Sequence, residues 1–536
     1  MPSASASNLR SSRDVVTYGV LVSLGILSLV LVLALTDQRT LGLFRNTLLL
    51  AVGTCAIGLP VGTFLAYLIV RTDLPGRQFA GVLIASMLFI PLFFQTAGWD
   101  AGFGLGGFWL DPKTQLYKPL LHGWWGVIWI HGVAAIPWTT LIVGLGLRMT
   151  EPELEEEALL DASITTVVAR VTFVRAIGSI AVAALWIVVA SAGEITVTNI
   201  KGVNTYADEI YVLEGENVLQ STSGVLTALV ASVWLTVAAM VITRKLAPPQ
   251  ISGPNRAPRQ FHLRSWRWIA VASILFVLVA LVLLPLSNLI YKAGFDVQQV
   301  GSEKVRGWSF AKTISIVLAT PGDFRSEFGW TLLIGAASAT AAIVLATPLA
   351  WLARRRRIGA LLATVVTAVC LAVPGPLVSV FIIWLFNLDV VPWLATLYNR
   401  SILAPTLATM IRVLPLAIMI LWYSMQLVAQ DEVESAATEG AGAMSRLWWM
   451  GVKRRWLTIV VVWCIGLAIA TGDVAASILV IPPGVETTAR TVFGKLHSGV
   501  DDQAAGICLI YALGAAVLIS AMLLCHKLST RNWKSQ

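Results

Sequence analysis

Residues 329–357, GWTLLIGAASATAAIVLATPLAWLARRRR, run twenty-five positions without a charge and then set four arginines in a row. An uncharged block of that length matches the roughly 20 residues that cross a bilayer core as a helix. The arginines behind it mark a cytoplasmic end, because loops on that side retain positive charge. The rest of the chain repeats the pattern. Of 536 residues, 57% are hydrophobic and 12% charged, against roughly 45–50% and about 25% in an ordinary soluble domain. Twelve blocks are long enough to span: 15–36, 47–70, 79–97, 124–147, 177–198, 223–243, 268–290, 329–353, 358–386, 402–428, 457–481 and 504–525. In hydrocarbon every backbone amide needs an internal partner, so these blocks are helices and the fold class is an all-α polytopic membrane protein.

With the N-terminus inside, the even-numbered connections are cytoplasmic, and together with both tails they hold 24 of the 38 Lys and Arg residues. Arg71, Arg77 and the six basic residues from Arg244 to Arg267 are among them. The outer loops hold 13, five of them in the long 291–328 loop. Only Arg412 lies inside a span. The net charge of +9 is therefore a topology signal rather than a nucleic-acid patch. The polar opening MPSASASNLRSSRD precedes a full-length span and reads as the approach to a retained first helix, not a cleaved signal peptide. Cys55, Cys370, Cys464, Cys508 and Cys525 fall in spans without CxxC spacing and read as small buried apolar residues. Trp99, Trp124, Trp125, Trp266 and Trp268, near span ends, read as interfacial anchors.

The chain also repeats itself. Asn46-Thr-Leu-Leu opens the second span and Trp330-Thr-Leu-Leu the eighth. Pro137 and Pro415 are 278 residues apart, as are Glu156 and Glu434, and Ala158 and Ala436. Gly193-Glu194 and Gly472-Asp473 are 279 apart. Two six-span halves with an even number of crossings face the same way, related by a pseudo-twofold axis along the membrane normal. Residues 1–243 form the first half and 268–536 the second. Between them 244–267, RKLAPPQISGPNRAPRQFHLRSWR, is rich in Pro and Arg and reads as a cytoplasmic linker.

Two cytoplasmic loops at matching places carry the most information: TEPELEEEALLDASITTVVARVTFVR at 150–175 and QDEVESAATEGAGAMSRLWWMGVKRR at 430–455. Val433, Ala436, Ala437 and Gly440 recur at i, i+3, i+4 and i+7, one face of a helix. A face of small residues lets another surface approach closely, and Gly440 permits an immediate turn. The matching face of the first loop, Glu155, Ala158, Leu159 and Ala162, is bulkier and starts with a charge. An interfacial amphipathic helix is the plainer reading of both.

These loops resemble the EAA loop of bacterial ABC importer permeases, whose pattern is E-A-A, three residues, G, then nine residues and I-x-L-P. Glu434-Ser435-Ala436 and Gly440 match in the second half. In the first, Glu156-Glu157-Ala158 match more loosely and Ala162 stands where Gly is expected. Neither half keeps the I-x-L-P, since the second reads Met450-Gly-Val-Lys453. Arg71-Thr-Asp-Leu-Pro-Gly-Arg77 is similar to segments common in the family. Ile481-Pro-Pro-Gly-Val-Glu-Thr-Thr, followed by Arg490-Thr-Val-Phe-Gly-Lys-Leu-His497, resembles fused ferric-iron permeases, with thiamine permeases as close relatives. The resemblance implies that the acidic loops couple to two copies of an ABC ATPase subunit and that an extracytoplasmic binding protein delivers the cargo. It further implies a bacterial inner (plasma) membrane location with both termini cytoplasmic, and a cargo of ferric iron or a similar small solute. Thiamine, phosphonate or polyamine are the alternatives.

No Gly-x-x-x-x-Gly-Lys-Ser/Thr loop occurs, so nucleotide sites are expected on separate subunits. The five His residues show no metal-ligand or hydrolytic spacing, and neither an enzyme nor a cofactor is expected. Charge within a span is the remaining signal, because placing one near the bilayer centre costs on the order of 2.5–3.5 kcal/mol. Glu194 and Asp473 are repeat partners that either line a path for cationic cargo or cap helix breaks. Arg412, opposite Ala134 in the repeat, either neutralises Asp473 or meets an anionic ligand. His131 reads as a hydrogen-bonded packing residue. The rival class is a twelve-span secondary transporter, which would need no ATPase and no repeated acidic loop.

Overall fold

The computed structural model describes residues 38–105, 107–109, 119–213, 234, 258–300, 303–388 and 391–534. The expected span 15–36 and, apart from Trp234, the expected span 223–243 lie outside the described residues, as do residues 244–257 of the linker. Among the described residues helices dominate, and one antiparallel hairpin, Phe295–Val300 with Glu303–Trp308, lies in the long loop before the eighth expected span. Among the described residues, eight helices are long and apolar enough to cross a membrane, and two bent pairs raise the number to ten.

The bent pairs depart from the sequence expectation of straight spans at 79–97 and 358–386. The chain turns by 99° between Arg77–Phe89 and Leu92–Phe103, and by 102° between Arg357–Ala372 and Gly375–Phe386. Pro91 and Pro374 sit at the breaks. Proline forces the residue before it out of helical backbone, and Ile90 and Val373 are extended, with ψ of 117° and 120°. Both broken helices restart at once on the far side of the proline, which is well tolerated in a first turn.

The two central helix pairs are built on small residues. Gln38–Arg71 lies against Gly123–Arg148. At Gly62 an added Cβ would stand 2.5 Å from Thr139 Cβ, so only glycine allows this approach. Arg325–Ala353 lies against Leu403–Gln426 in the same way, with Ala342, Ala346, Ala350 and Ala353 buried at helical spacings of four, four and three. The helix Arg264–Ala293, the first span assigned to the second half, packs on helices that precede the linker as well as on Asp501–Lys534. Its Ile274, Leu278 and Leu281 join Leu50, Ile84 and Ile130 in one apolar cluster. Asn288 Nδ2 donates to the Gly98 carbonyl at 2.9 Å, and Trp109 Nε1 donates to Asn288 Oδ1 at 2.7 Å. Helices from before and after the linker are therefore packed together.

Of the tryptophans read as anchors, Trp124, Trp125, Trp266 and Trp268 are exposed. Trp99 is not. It is 4% exposed and meets Trp129 edge to face, so it packs the core.

Candidate functional site

Both acidic loops fold alike. A short helix, Pro152–Asp161 or Gln430–Thr438, is followed by a turn and one helical turn, Ile164–Val167 or Ala443–Arg446. A π turn, Val168–Thr172 or Leu447–Val452, then leads into the long span. The spans expected at 177–198 and 457–481 accordingly start well before the apolar run, at Ile164 and Ala443.

The helix face singled out by spacing turns inward at its first residue. Val433 is 6% exposed and Glu155 is fully buried, while Glu156, Glu157, Glu434 and Ser435 are exposed and Ala158, Ala162 and Ala436 half-buried. Gly440 has φ of +90°, which a side chain disfavours. Its N–H reaches the Ala437 carbonyl at 3.1 Å, and the next N–H, of Ala441, returns to the Ala436 carbonyl at 2.9 Å. The helix end is closed by that left-handed turn. Ala162 ends the first helix in ordinary extended backbone, φ −135°, and Ser163 caps the next turn through the Thr166 N–H. Glycine is not needed there.

Glu155 was not a sequence candidate, yet it is the most constrained acid of the loop. Its carboxylate pairs with the fully buried Arg71 guanidinium and accepts the Thr172 hydroxyl at 2.7 Å. Arg71 also lies under the Phe261 ring, 5.8 Å from its centre, so the linker covers the pair. The linker is stitched down beside it: Phe261 N–H donates to the Arg71 carbonyl at 2.7 Å, and Asp73 N–H to the Phe261 carbonyl at 3.3 Å. The Asp73 carboxylate accepts the Leu263 N–H at 2.9 Å and meets His262 at 3.0 Å and Arg267 at 3.1 Å. These partners, the Leu263 amide foremost, hold its carboxyl well below the usual carboxylate range.

The second site lies in the middle of the molecule. The helices Ile164–Ala192 and Ala443–Gly472 end just before Glu194 and Asp473, which therefore lie beyond the helices rather than inside spans as the sequence suggested. Each carboxylate answers backbone N–H groups of the chain that follows. Glu194 accepts from Thr196 at 2.6 Å and Val197 at 3.0 Å, and Asp473 Oδ1 accepts from Ala476 at 3.3 Å. The capping alternative is thus met at both positions.

Capping does not remove them from the cavity they share. Glu194, Asp473 and Arg412 line one cavity of about 250 Å³ between the halves, together with His131. Arg412 donates to the Val373 carbonyl at 3.4 Å. His131 Nε2 stands 3.5 Å from Glu194 Oε2, so its place is in the site and not merely in packing. The helix ends and the proline breaks meet reciprocally: Gly193 approaches Pro374 of the other half, and Gly472 approaches Pro91. Sequence reading missed Pro91 and Pro374 as site elements, although X-Pro within a long apolar run was the available signal. No family model matches the chain, and no curated protein matches its sequence.

Proposed function

We propose that this chain is the translocating subunit of an ATP-driven importer, its two halves giving alternating access to the cavity between them. The observation that carries this reading is the paired construction of the acidic loops. In each, a short helix keeps one residue buried against the membrane helices, exposes its acids, and continues through a turn and a π turn into a long span. A surface helix built on the end of a spanning helix can pass a push from a partner into the membrane.

We read the eight candidate spans and two bent pairs, with 15–36 and 223–243, as the twelve crossings of two six-span halves in a bacterial plasma membrane, termini cytoplasmic. The positions of Pro91 against Gly472 and Pro374 against Gly193 support a twofold relation. Two ATPase subunits would supply the nucleotide sites, and an extracytoplasmic binding protein would deliver the cargo, with ferric iron or a similar small solute as the cargo the resemblance implies.

The test is co-purification. A tagged full chain retains an ATPase subunit, and deletion of 430–441 releases it while the protein still inserts. Retention in the deletion variant, or uptake driven by an ion gradient without any ATPase, would favour the secondary-transporter reading.

A further inference from the structure

We propose that the cavity between the halves is a cargo site for a compact organic cation bearing N–H donors, an ammonium or a guanidinium, and not for a bare metal ion. The proposal rests on the importer reading only in calling the ligand cargo. The chemistry comes from the walls. Two carboxylates, Glu194 and Asp473, face the space with one guanidinium, Arg412, so the fixed charge favours a cation.

Among the described residues four polar atoms on the cavity are left over: oxygens of Gln95, Thr54 and Asp473, and the His131 ring nitrogen Nε2 that stands beside Glu194. Gln95, 5% exposed, gives its Nε2 to the Leu281 carbonyl at 3.2 Å, and its Oε1 has no hydrogen-bond partner among the described residues. Thr54, 2% exposed, keeps Oγ1 equally unanswered, and so does Asp473 with Oδ2. The Gln95 amide oxygen and the Asp473 carboxylate oxygen can only accept and the Thr54 hydroxyl can accept, so the cavity calls for a ligand that brings donors. Trp138 and Trp186 also line the cavity, their rings 4.6 Å apart, and indole faces attract an organic cation.

A ferric ion would be poorly served. Hard cations are held by several anionic or carbonyl oxygens converging on one point. Here both Glu194 oxygens are engaged with backbone N–H groups, and Arg412 shares the space. Among the described residues no three His, Cys, Asp or Glu side chains gather to hold a metal. At about 250 Å³ the cavity is also smaller than the roughly 300–1,000 Å³ of sites for larger ligands, which sets the compact size.

The experiment uses the full chain in lipid nanodiscs, titrated calorimetrically with 2-phenylethylammonium, benzamidinium, the neutral 2-phenylethanol and ferric nitrilotriacetate. One or both cations should bind with one-to-one stoichiometry and without competition from the ferric chelate. The alcohol should bind at least about ten-fold more weakly, as should the better cation to Asp473→Asn. Gln95→Leu, which removes an acceptor and no charge, should lower affinity several-fold and serves as the readout if Asp473→Asn does not fold. Failure of both cations to bind, equal binding of the alcohol, displacement by the ferric chelate, or unchanged affinity in the variant that folds would overturn the proposal. None of these results bears on ATPase retention, so the importer reading stands or falls separately.

Discussion

The first acidic loop is held by charge and the second by apolar contact. At the buried position of its helix the first carries Glu155, paired with Arg71 beneath the linker ring of Phe261. The second carries the apolar Val433, 6% exposed, which forms no ion pair. Around the first, Arg259 also reaches Glu156 at 3.8 Å. Around the second, the ion pair is Arg454 with Glu432, both exposed. A buried pair is costly to separate, whereas an apolar contact can slide. The difference teaches that two loops with one backbone plan need not have one mobility, and that the second is the better built to move.

The comparison breaks most visibly at Glu155. Glu155→Ala leaves the Arg71 charge buried and alone, which costs about 3–5 kcal/mol. Thermal unfolding in detergent should show a large loss, and Arg71→Met combined with Glu155→Leu should restore most of it. If the single variant unfolds like the parent, the latch is not there. Next in size is Gly472→Ala, whose new Cβ would sit 2.9 Å from Pro91 Cβ, an overpacking of about 1–3 kcal/mol. Gly193→Ala meets Pro374 only at 3.5 Å and should be near neutral in the same melt.

Gly440→Val forces a side chain into left-handed backbone, at about 1–2 kcal/mol, and should abolish uptake while leaving membrane insertion intact. Ala162→Gly, at the matching turn, should transport normally. Normal uptake in Gly440→Val would remove the second loop from coupling. The smallest effect belongs to Glu432→Ala, where loss of an exposed pair is worth about 0–1 kcal/mol and should barely shift unfolding.

Much of the fold was legible because hydrocarbon leaves the chain little choice. Ten of the expected spans fall on described helices or bent pairs, although several boundaries moved. The shifts have local causes. Polar residues such as Arg170 and Arg175 lowered the hydropathy of 164–176, yet the helix runs through them because its first turns lie where side chains can stay exposed. Ends at Ala192 and Gly472 were overrun because apolar residues continue past them, into the separate short helix Thr196–Ile200 in the first case and into turns in the second.

The site was legible in parts. Glu194, Asp473 and Arg412 were visible as rare charges, but Gln95 and Thr54 were not, since a single polar residue in an apolar run carries no sign of what it faces. Glu155 was hidden for the opposite reason, as one acid among several in Glu155-Glu156-Glu157. Only burial distinguishes it from its neighbours.

By itself the sequence determined the helical membrane class, the approximate places of the crossings, and the likeness of two acidic loops. Each follows from composition and spacing along the chain, because the bilayer punishes unpaired backbone wherever it lies. The tertiary structure decided that Arg264–Ala293 packs on helices from both sides of the linker, that proline breaks meet helix ends, and which acid of three is buried. Those are relations between residues far apart in sequence, set by side-chain packing that no local period records.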